Sequence, residues 1–139
     1  MVEVNSETDF VAKNATFVEF VNGILRTIVA CKPATLEALG ACKFDGTEYT
    51  VDETVKDKIF TIGEKISVRR FVVIEGITST YVHGNGAIGV IVKFDVDPSL
   101  ATNDKFVEFA KNIALQAGAY ATPYLDRDSV PANVIAEEK

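Results

Sequence analysis

The sequence predicts an α+β fold in which an antiparallel sheet packs against helices on one face, followed by the beginning of a second such lobe. Two observations support this prediction: strand-like and helix-like stretches recur in the same order, and the helices of the two copies have closely similar sequences. NATFVEFVNGIL at residues 14–25 matches NDKFVEFAKNIA at residues 103–114, with Asn, Phe-Val-Glu-Phe and Ile in register. A match of this length indicates an internal repeat.

The first copy predicts a strand, a long helix, two short helices and a second strand. Residues 2–5 alternate in the manner of a strand. The long helix is indicated by apolar residues at helical spacing, namely Phe17, Phe20, Val21, Ile24 and Ile28. The remaining elements are a break at Pro33, short helices at 36–39 and 51–60 around an Asp45-Gly46 turn, and a long strand at 66–74.

The stretch HGNGAIG at residues 83–89 contains GxGxxG, the pattern with which many dinucleotide-binding domains hold a pyrophosphate. That loop needs a helix after it, because the free N–H groups of the helix contact the phosphates. Here residues 88–96 alternate apolar and more polar side chains, which predicts a strand, and residues 78–83 are rich in β-branched and aromatic residues. We therefore predict a hairpin with a two-residue type I′ turn at Asn85-Gly86, and a nicotinamide-dependent oxidoreductase is disfavoured.

The second copy begins with a strand of this hairpin and continues into a helix. Apolar residues at helical spacing indicate the helix, namely Phe106, Phe109, Ala110 and Ile113. The closing pieces of the repeat do not follow before Lys139. We assign residues 1–76 to the first repeat and residues 77–139 to the hairpin and an incomplete second repeat. A parallel α/β topology is the alternative, disfavoured because the clear connection between strands is a tight hairpin.

Composition argues against several classes of function. The 139 residues carry a net charge of −6 with Lys and Arg scattered, so the positive surface needed for nucleic acid is missing. Cys31, Cys42 and the single histidine, His83, lack the spacing of a metal site, and we expect two buried, reduced thiols. No apolar run approaches a membrane span, and the acidic start is unlike a signal peptide. We expect a soluble, unexported protein without metal or cofactor.

One segment of the first copy has no counterpart in the second. TDFV at residues 8–11 corresponds through the repeat to DPSL at residues 97–100, which matches neither its acid nor its aromatic residue. A segment needed only for the fold should occur in both copies, so TDFV is a candidate for function. Asp9 also suits a structural role in a first helical turn, where an acid favours the helix dipole, with Ser6 or Thr8 as the N-cap.

Phe10 likewise has a structural alternative. It lies seven residues before Phe17 and nearly in phase with the core face of the long helix. Against this, Thr16 and Glu19 form a TxxE capping box, which predicts a new helix start near Thr16 and frees Phe10 from the core. Spacing alone favours the structural roles of Phe10 and Asp9 and leaves the functional ones open.

Three stretches together resemble the elongation factor Ts family, the nucleotide-exchange factors of the translational GTPase elongation factor Tu. They are EVNSETDFVAKN at 3–14, IGEKISVRRF at 62–71 and YVHGNGAIGVIV at 81–92, in order along nearly the whole chain. The resemblance covers the core, or dimerisation, region of that family. The small N-terminal helical domain and the rest of the second lobe are not matched, so we expect a fragment or an abbreviated member.

The resemblance implies that Thr8, Asp9, Phe10 and Val11 enter the GTPase near its Mg²⁺ and phosphate-binding loop. Phe10 would be the wedge, and Asp9 would help rearrange the groups that hold Mg²⁺. Loss of Mg²⁺ leaves the phosphate charge of GDP uncompensated, so GDP dissociates faster. The resemblance further implies that the chain is not an enzyme and acts in a bacterial cytoplasm or in an organelle of bacterial origin.

Ile62, Gly63 and His83 resemble positions of secondary contact with the GTPase. Each position also has a structural alternative. Ile62 suits a core residue at a helix end, Gly63 a helix C-cap, and His83 an exposed imidazole at a hairpin tip. A second hypothesis for the whole chain is a homodimerisation module without exchange activity, because the second lobe is apolar and incompletely closed.

Overall fold

The computed structural model describes residues 1–120 and 123–137, and the chain divides into two compact units, Met1–Glu75 and a second that begins at Gly76. The first unit contains β1 (Val2–Asn5), α1 (Asp9–Ala12), α2 (Ala15–Cys31), α3 (Leu36–Ala41), α4 (Val51–Ile62) and β2 (Ser67–Phe71). The second contains β3 (Ile77–His83), β4 (Ile88–Phe94), α5 (Asp104–Tyr120) and α6 (Ala132–Glu137). Each unit has a two-stranded antiparallel sheet with helices packed against it, which confirms the predicted α+β class.

The core of the first unit is built on the predicted apolar face of α2. Its buried members on that face are Phe17, Phe20, Ile24 and Ile28. They pack with Leu39 of α3, Val51 of α4 and Ile66 before β2. Because the apolar residues repeat with the period of the helix, each turn of α2 places one of them on the same side. Burial stabilises the fold by about 1.5–3 kcal/mol for each fully buried side chain.

Strand β2 is shorter than the sequence predicts. It pairs with β1 in antiparallel register from Ser67 opposite Asn5 to Phe71 opposite Val2, and the main-chain groups of Val72 and Met1 then bond to each other. The strand predicted over 66–74 is therefore wrong in its extent. The apolar run continues beyond Phe71, but the ladder ends where its partner strand begins, so pairing rather than composition sets the length.

A break between α1 and α2 is confirmed, although the residue that caps α2 is not the one expected. Asn14 has an extended backbone, and its side-chain oxygen accepts from the main-chain nitrogen of Thr16 at 2.8 Å. The predicted capping box is wrong because Glu19 pairs with Arg26 at 2.8 Å instead. In the second copy Asn103 likewise accepts from the first amides of α5, so the repeat conserves the cap as well as the helix.

The predicted hairpin between β3 and β4 is confirmed, and its predicted two-residue turn is wrong. The last pair of the ladder is His83 opposite Ile88, which leaves a four-residue connection. Gly84, Asn85 and Gly86 all have positive φ, at 59°, 55° and 100°. Three consecutive residues in this region explain the glycine-rich sequence. A strand follows the loop, so the helix N-terminus that a dinucleotide site requires is missing after Gly89.

The two cysteines form a disulfide, contrary to the expected buried thiols. Cys31 is the last residue of α2 and Cys42 is the C-cap of α3, and their Cα atoms are 6.7 Å apart. Cys31 is exposed rather than in the core. Residues 32–35, in which Lys32 has a left-handed backbone with φ 45°, connect the two helices whose ends meet. Spacing alone does not reveal this relationship.

The second unit repeats the helix but covers it less completely. Helix α5 packs on both strands of the hairpin, where the rings of Phe94 and Phe106 meet edge to face at 5.4 Å. Phe109 corresponds through the repeat to Phe20, yet it is 54% exposed whereas Phe20 is 3% exposed. In the first unit α3 and α4 supply the side chains that close this face.

Candidate functional site

The candidate site is the segment of residues 8–11, called here the 8–11 segment. Thr8 is the N-cap of the one-turn helix α1, and its side-chain oxygen accepts from the nitrogen of Val11 at 3.4 Å. This confirms Thr8 rather than Ser6 as the cap, with Asp9 as an acid in the first turn of the helix. A single helical turn is not stable by itself, because nucleation costs more than one turn of hydrogen bonds returns. The segment therefore depends on contacts with the rest of the unit.

Glu64 supplies the principal polar contact. Its carboxylate accepts hydrogen bonds from the nitrogens of Glu7 and Thr8, at 3.2 and 3.0 Å, and from the Thr8 hydroxyl at 2.6 Å. In return the Glu7 carboxylate accepts from the nitrogen of Lys65 at 3.1 Å. The loop after β1 and the turn after α4 thus hold each other through two carboxylates. Sequence reasoning did not identify Glu64 or Glu7, although Glu64 lies in the IGE stretch of the resemblance.

Gly63 places Glu64 by ending α4. It is the C-cap in left-handed conformation, with φ 79°, and its nitrogen donates to the carbonyl of Ile59 at 2.9 Å. A side chain at this φ would be strained, which is the physical reason for glycine here. Ile62, the residue before it, is half-buried and packs against the core. The structural alternatives for both residues are therefore observed, and Ile62 still has part of its surface open.

Phe10 and Val11 are neighbours with opposite surroundings. Val11 packs against the core of the first unit, while Phe10 is 83% exposed. The alternative that Phe10 belongs to the core face of α2 is wrong, because the break at Lys13 and Asn14 takes α1 out of phase with α2. Leaving an aromatic side chain in water forgoes about 1.5–3 kcal/mol of burial. The segment thus presents a large apolar group for which the first unit provides no cover.

Asp9 stands beside Phe10 as an exposed anion. The ammonium group of Lys13 lies 2.8 Å from its carboxylate, one helical turn further along. The hydrogen bond and charge of Lys13 hold the pKa of Asp9 below its ordinary value, so the carboxylate is ionised at neutral pH. An aromatic ring and a carboxylate therefore project from the same helical turn.

His83 belongs to the second unit, at the end of β3. Its imidazole is exposed, and its Nδ1 lies 2.8 Å from the hydroxyl of Tyr81 on the same strand. The structure therefore brings Ile62 and Gly63 to the 8–11 segment through Glu64, whereas His83 is positioned by the hairpin. The described residues contain no group of three acidic, His or Cys side chains placed to hold a metal ion.

No helix over residues 1–120 and 123–137 is long and apolar enough to cross a membrane.

Comparison with known proteins places these features in a family. The family model described as Elongation factor TS matches residues 7–139. The elongation factor Ts of Syntrophotalea carbinolica is 46% identical over all of this chain, which covers 46% of that protein. Those of Clostridioides difficile and Saccharopolyspora erythraea are 40% and 38% identical, over 99% and 100% of the chain and 45% and 49% of their own lengths. The chain thus spans about half the length of these relatives. It belongs to the elongation factor Ts family.

Proposed function

We propose that this chain promotes the release of GDP from the GTPase elongation factor Tu by inserting the 8–11 segment near the Mg²⁺ and phosphate site of that partner. The observation that carries the proposal is the 83% exposure of Phe10 on a helical turn that the rest of the unit holds in place. Membership of the elongation factor Ts family supports this partner and this activity. The exposed ring of Phe10 supports its assignment as the group that contacts the partner.

Phe10 is the wedge in this mechanism. Burying its ring in the partner recovers the apolar burial that the free protein lacks, about 1.5–3 kcal/mol, which is the size of an interface hot spot. Because α1 is fixed at Thr8 on one side and at Val11 on the other, little ordering is required when the ring enters the partner. The binding free energy is then available to displace groups of the GTPase.

Asp9 acts on the charge around the nucleotide. Its ionised carboxylate projects beside the wedge and competes with the groups that keep Mg²⁺ in place. Once Mg²⁺ is lost, the phosphates of GDP lose their main counter-charge and dissociation accelerates. Linkage requires that GDP weaken the binding of this chain by the same factor, so the complex of all three is short-lived.

The chain itself makes and breaks no bond in this mechanism and is not an enzyme; it also uses no metal or cofactor of its own. Ile62, Gly63 and His83 are proposed as secondary contacts with the GTPase. Ile62 and Gly63 immediately precede Glu64, which contacts Thr8 of the 8–11 segment, and His83 is exposed at the hairpin. The compartment is that of the partner, a bacterial cytoplasm or an organelle of bacterial origin.

The direct test is stopped-flow release of a fluorescent GDP analogue from elongation factor Tu, with the wild-type chain, Phe10→Ala and Tyr49→Ala. Tyr49 is the control because it is also an exposed aromatic residue of the first unit, at 67%, outside the 8–11 segment. We expect acceleration by the wild type and by Tyr49→Ala, and its loss in Phe10→Ala. Equal rates with all three proteins would contradict the role of Phe10.

A second candidate function is self-association through α5. This helix exposes a group of apolar side chains, including Val107, Phe109, Ile113 and Leu115. Two of them, Phe109 and Ile113, correspond through the repeat to Phe20 and Ile24 of α2, which are buried. A second copy of the chain is one means of covering them. Light scattering distinguishes the two functions: a dimer that forms equally with wild type and Phe10→Ala, without any effect on GDP release, would favour the assembly module.

A further inference from the structure

We infer that Glu64 is a positioning residue that fixes the orientation of the Phe10 wedge, and that exchange depends on it although it need not touch the nucleotide site. The inference rests on the proposed function and extends it to a residue outside the 8–11 segment. Glu64 is half-buried in the turn after α4, and it reaches the segment across more than fifty residues of sequence.

The geometry concentrates three donors on one carboxylate. The nitrogens of Glu7 and Thr8 share one oxygen, and the Thr8 hydroxyl takes the other at 2.6 Å. Hydrogen bonds to an ionised acceptor are roughly twice as strong as neutral ones, and together these three fix both the position and the rotation of residue 8. Since residue 8 is the cap of α1, its orientation sets the direction in which the whole turn points.

The Thr8 hydroxyl transmits this constraint into α1. A hydroxyl has one proton to donate, and here it donates that hydrogen bond to the Glu64 carboxylate. The lone pairs of the same oxygen are then directed towards the nitrogen of Val11, which donates to it. The carboxylate thus reinforces the cap, and the cap holds the turn that carries Phe10. At the other end of the turn, Val11 packs against the core through apolar contact, which is not directional.

Substitutions at Glu64 remove the contacts with residues 7 and 8 to different extents. Glu64→Ala removes all three acceptor contacts. Glu64→Gln keeps the size of the side chain but replaces one acceptor oxygen by a donor amide and removes the charge, so it cannot retain all three contacts as they are. Without these contacts Phe10 is still present but is less well oriented. We therefore expect the rate of GDP release from the bound complex to fall more than the affinity for the partner.

Glu53 provides a matched control at the other end of α4. Its carboxylate also accepts from a main-chain nitrogen and a hydroxyl, both of Thr50, in the capping box of that helix. Glu53→Ala therefore removes comparable hydrogen bonds from the same helix without touching the 8–11 segment. A defect caused only by weakening α4 would appear in both variants, whereas a positioning defect appears only at Glu64.

The experiment measures GDP release from elongation factor Tu at increasing concentrations of each variant, so that the maximal rate and the half-saturating concentration are obtained separately. We expect Glu64→Ala to lower the maximal rate on the order of tenfold, with a smaller change in the half-saturating concentration. The maximal rate of Glu64→Gln should lie between those of the wild type and Glu64→Ala. Glu53→Ala should match the wild type. In a Phe10→Ala background, Glu64→Ala should cause little further loss, because the two residues act as one unit.

Hydrogen exchange of the free proteins tests the positioning without any partner. In Glu64→Ala the amides of residues 7–12 should exchange faster, and in Glu53→Ala they should not. Faster exchange together with unchanged GDP release overturns the role of Glu64 in exchange, and unchanged protection overturns its role in positioning. If the wild-type chain itself fails to accelerate release while Glu64→Ala still loses protection, the proposed function fails and the structural part of the inference stands.

Discussion

Gly23 of α2 lies so close to the ring of Phe44 that a Cβ built on the glycine would be 2.3 Å from the ring Cζ. That ring also stacks on Phe20, with centroids 5.7 Å apart, so it cannot move aside freely. We therefore expect Gly23→Ala to lower the free energy of unfolding by about 1–3 kcal/mol through overpacking. This outcome is opposite to the gain of about 1 kcal/mol that alanine brings to an open helical site. Urea denaturation of the variant and the wild type measures this difference in the free energy of unfolding.

The control for this prediction is the double variant Gly23→Ala/Phe44→Leu. Removing the aromatic ring makes room for the new methyl group, so the alanine should cost less in this background than in the wild type. A single variant Gly23→Ala that is more stable than the wild type would contradict the contact, since only the helix propensity would then be acting.

The matched pair Phe10→Ala and Phe17→Ala should differ sharply in stability. Phe10 is 83% exposed, so its truncation should change the free energy of unfolding by no more than about 0.5 kcal/mol. Phe17 is 4% exposed, and its truncation should cost about 3–5 kcal/mol. Chemical denaturation of both variants and the wild type measures these changes in the free energy of unfolding. A large loss in Phe10→Ala would place the ring in the core after all and remove the basis of the wedge.

The elements that depend on local periodicity were predictable from the sequence. The core face of α2 follows from side chains that recur with the helical period, and the hairpin follows from alternation on both sides of a glycine-rich turn. The family resemblance and the lack of a counterpart in the repeat both pointed to Phe10. In each of these cases the signal lies within a few residues of the feature.

The features that depend on distant partners were not predictable. Glu64 bonds to Thr8 from 56 residues away, and nothing in the composition of IGE indicates an acceptor for three donors. The end of β2 is set by its partner strand β1. The pairing of Cys31 with Cys42 depends on the path of the chain through residues 32–35, which a single sequence does not specify in three dimensions.

The contact of Glu3 with two arginines makes stability dependent on pH. Its carboxylate lies 2.9 Å from Arg69 Nη1 and 2.5 Å from Arg70 Nε, across the β1–β2 ladder. Hydrogen bonds from Arg69 and then Arg70 lower the pKa of Glu3 from its ordinary value of 4.5. A pKa that is depressed in the folded state gives stability that is present above pH 4.5 and is lost as the pH falls through the folded value.

We therefore expect Glu3→Gln to have a lower melting temperature than the wild type at neutral pH, and the difference to shrink as the pH falls below 4.5. Measuring both proteins across the same pH range cancels the other carboxylates, which titrate equally in each. A difference that stays constant from neutral pH to acid would show that the ion pairs of Glu3 do not contribute to stability.

The disulfide between Cys31 and Cys42 should stabilise the first unit under oxidising conditions. It closes a loop between residues separated by 11 positions in sequence, for which the chain-entropy model gives about 3 kcal/mol. Reductant should therefore lower the melting temperature of the wild type towards that of the Cys31→Ser/Cys42→Ser variant, which should not respond to reductant. Alkylation of the denatured, unreduced protein should label neither cysteine. Labelling of both would show that the pair is reduced, and the two proteins should then melt alike with or without reductant. The proposed compartment is a reducing one, so the melting temperature measured with reductant represents the stability of the first unit under those conditions.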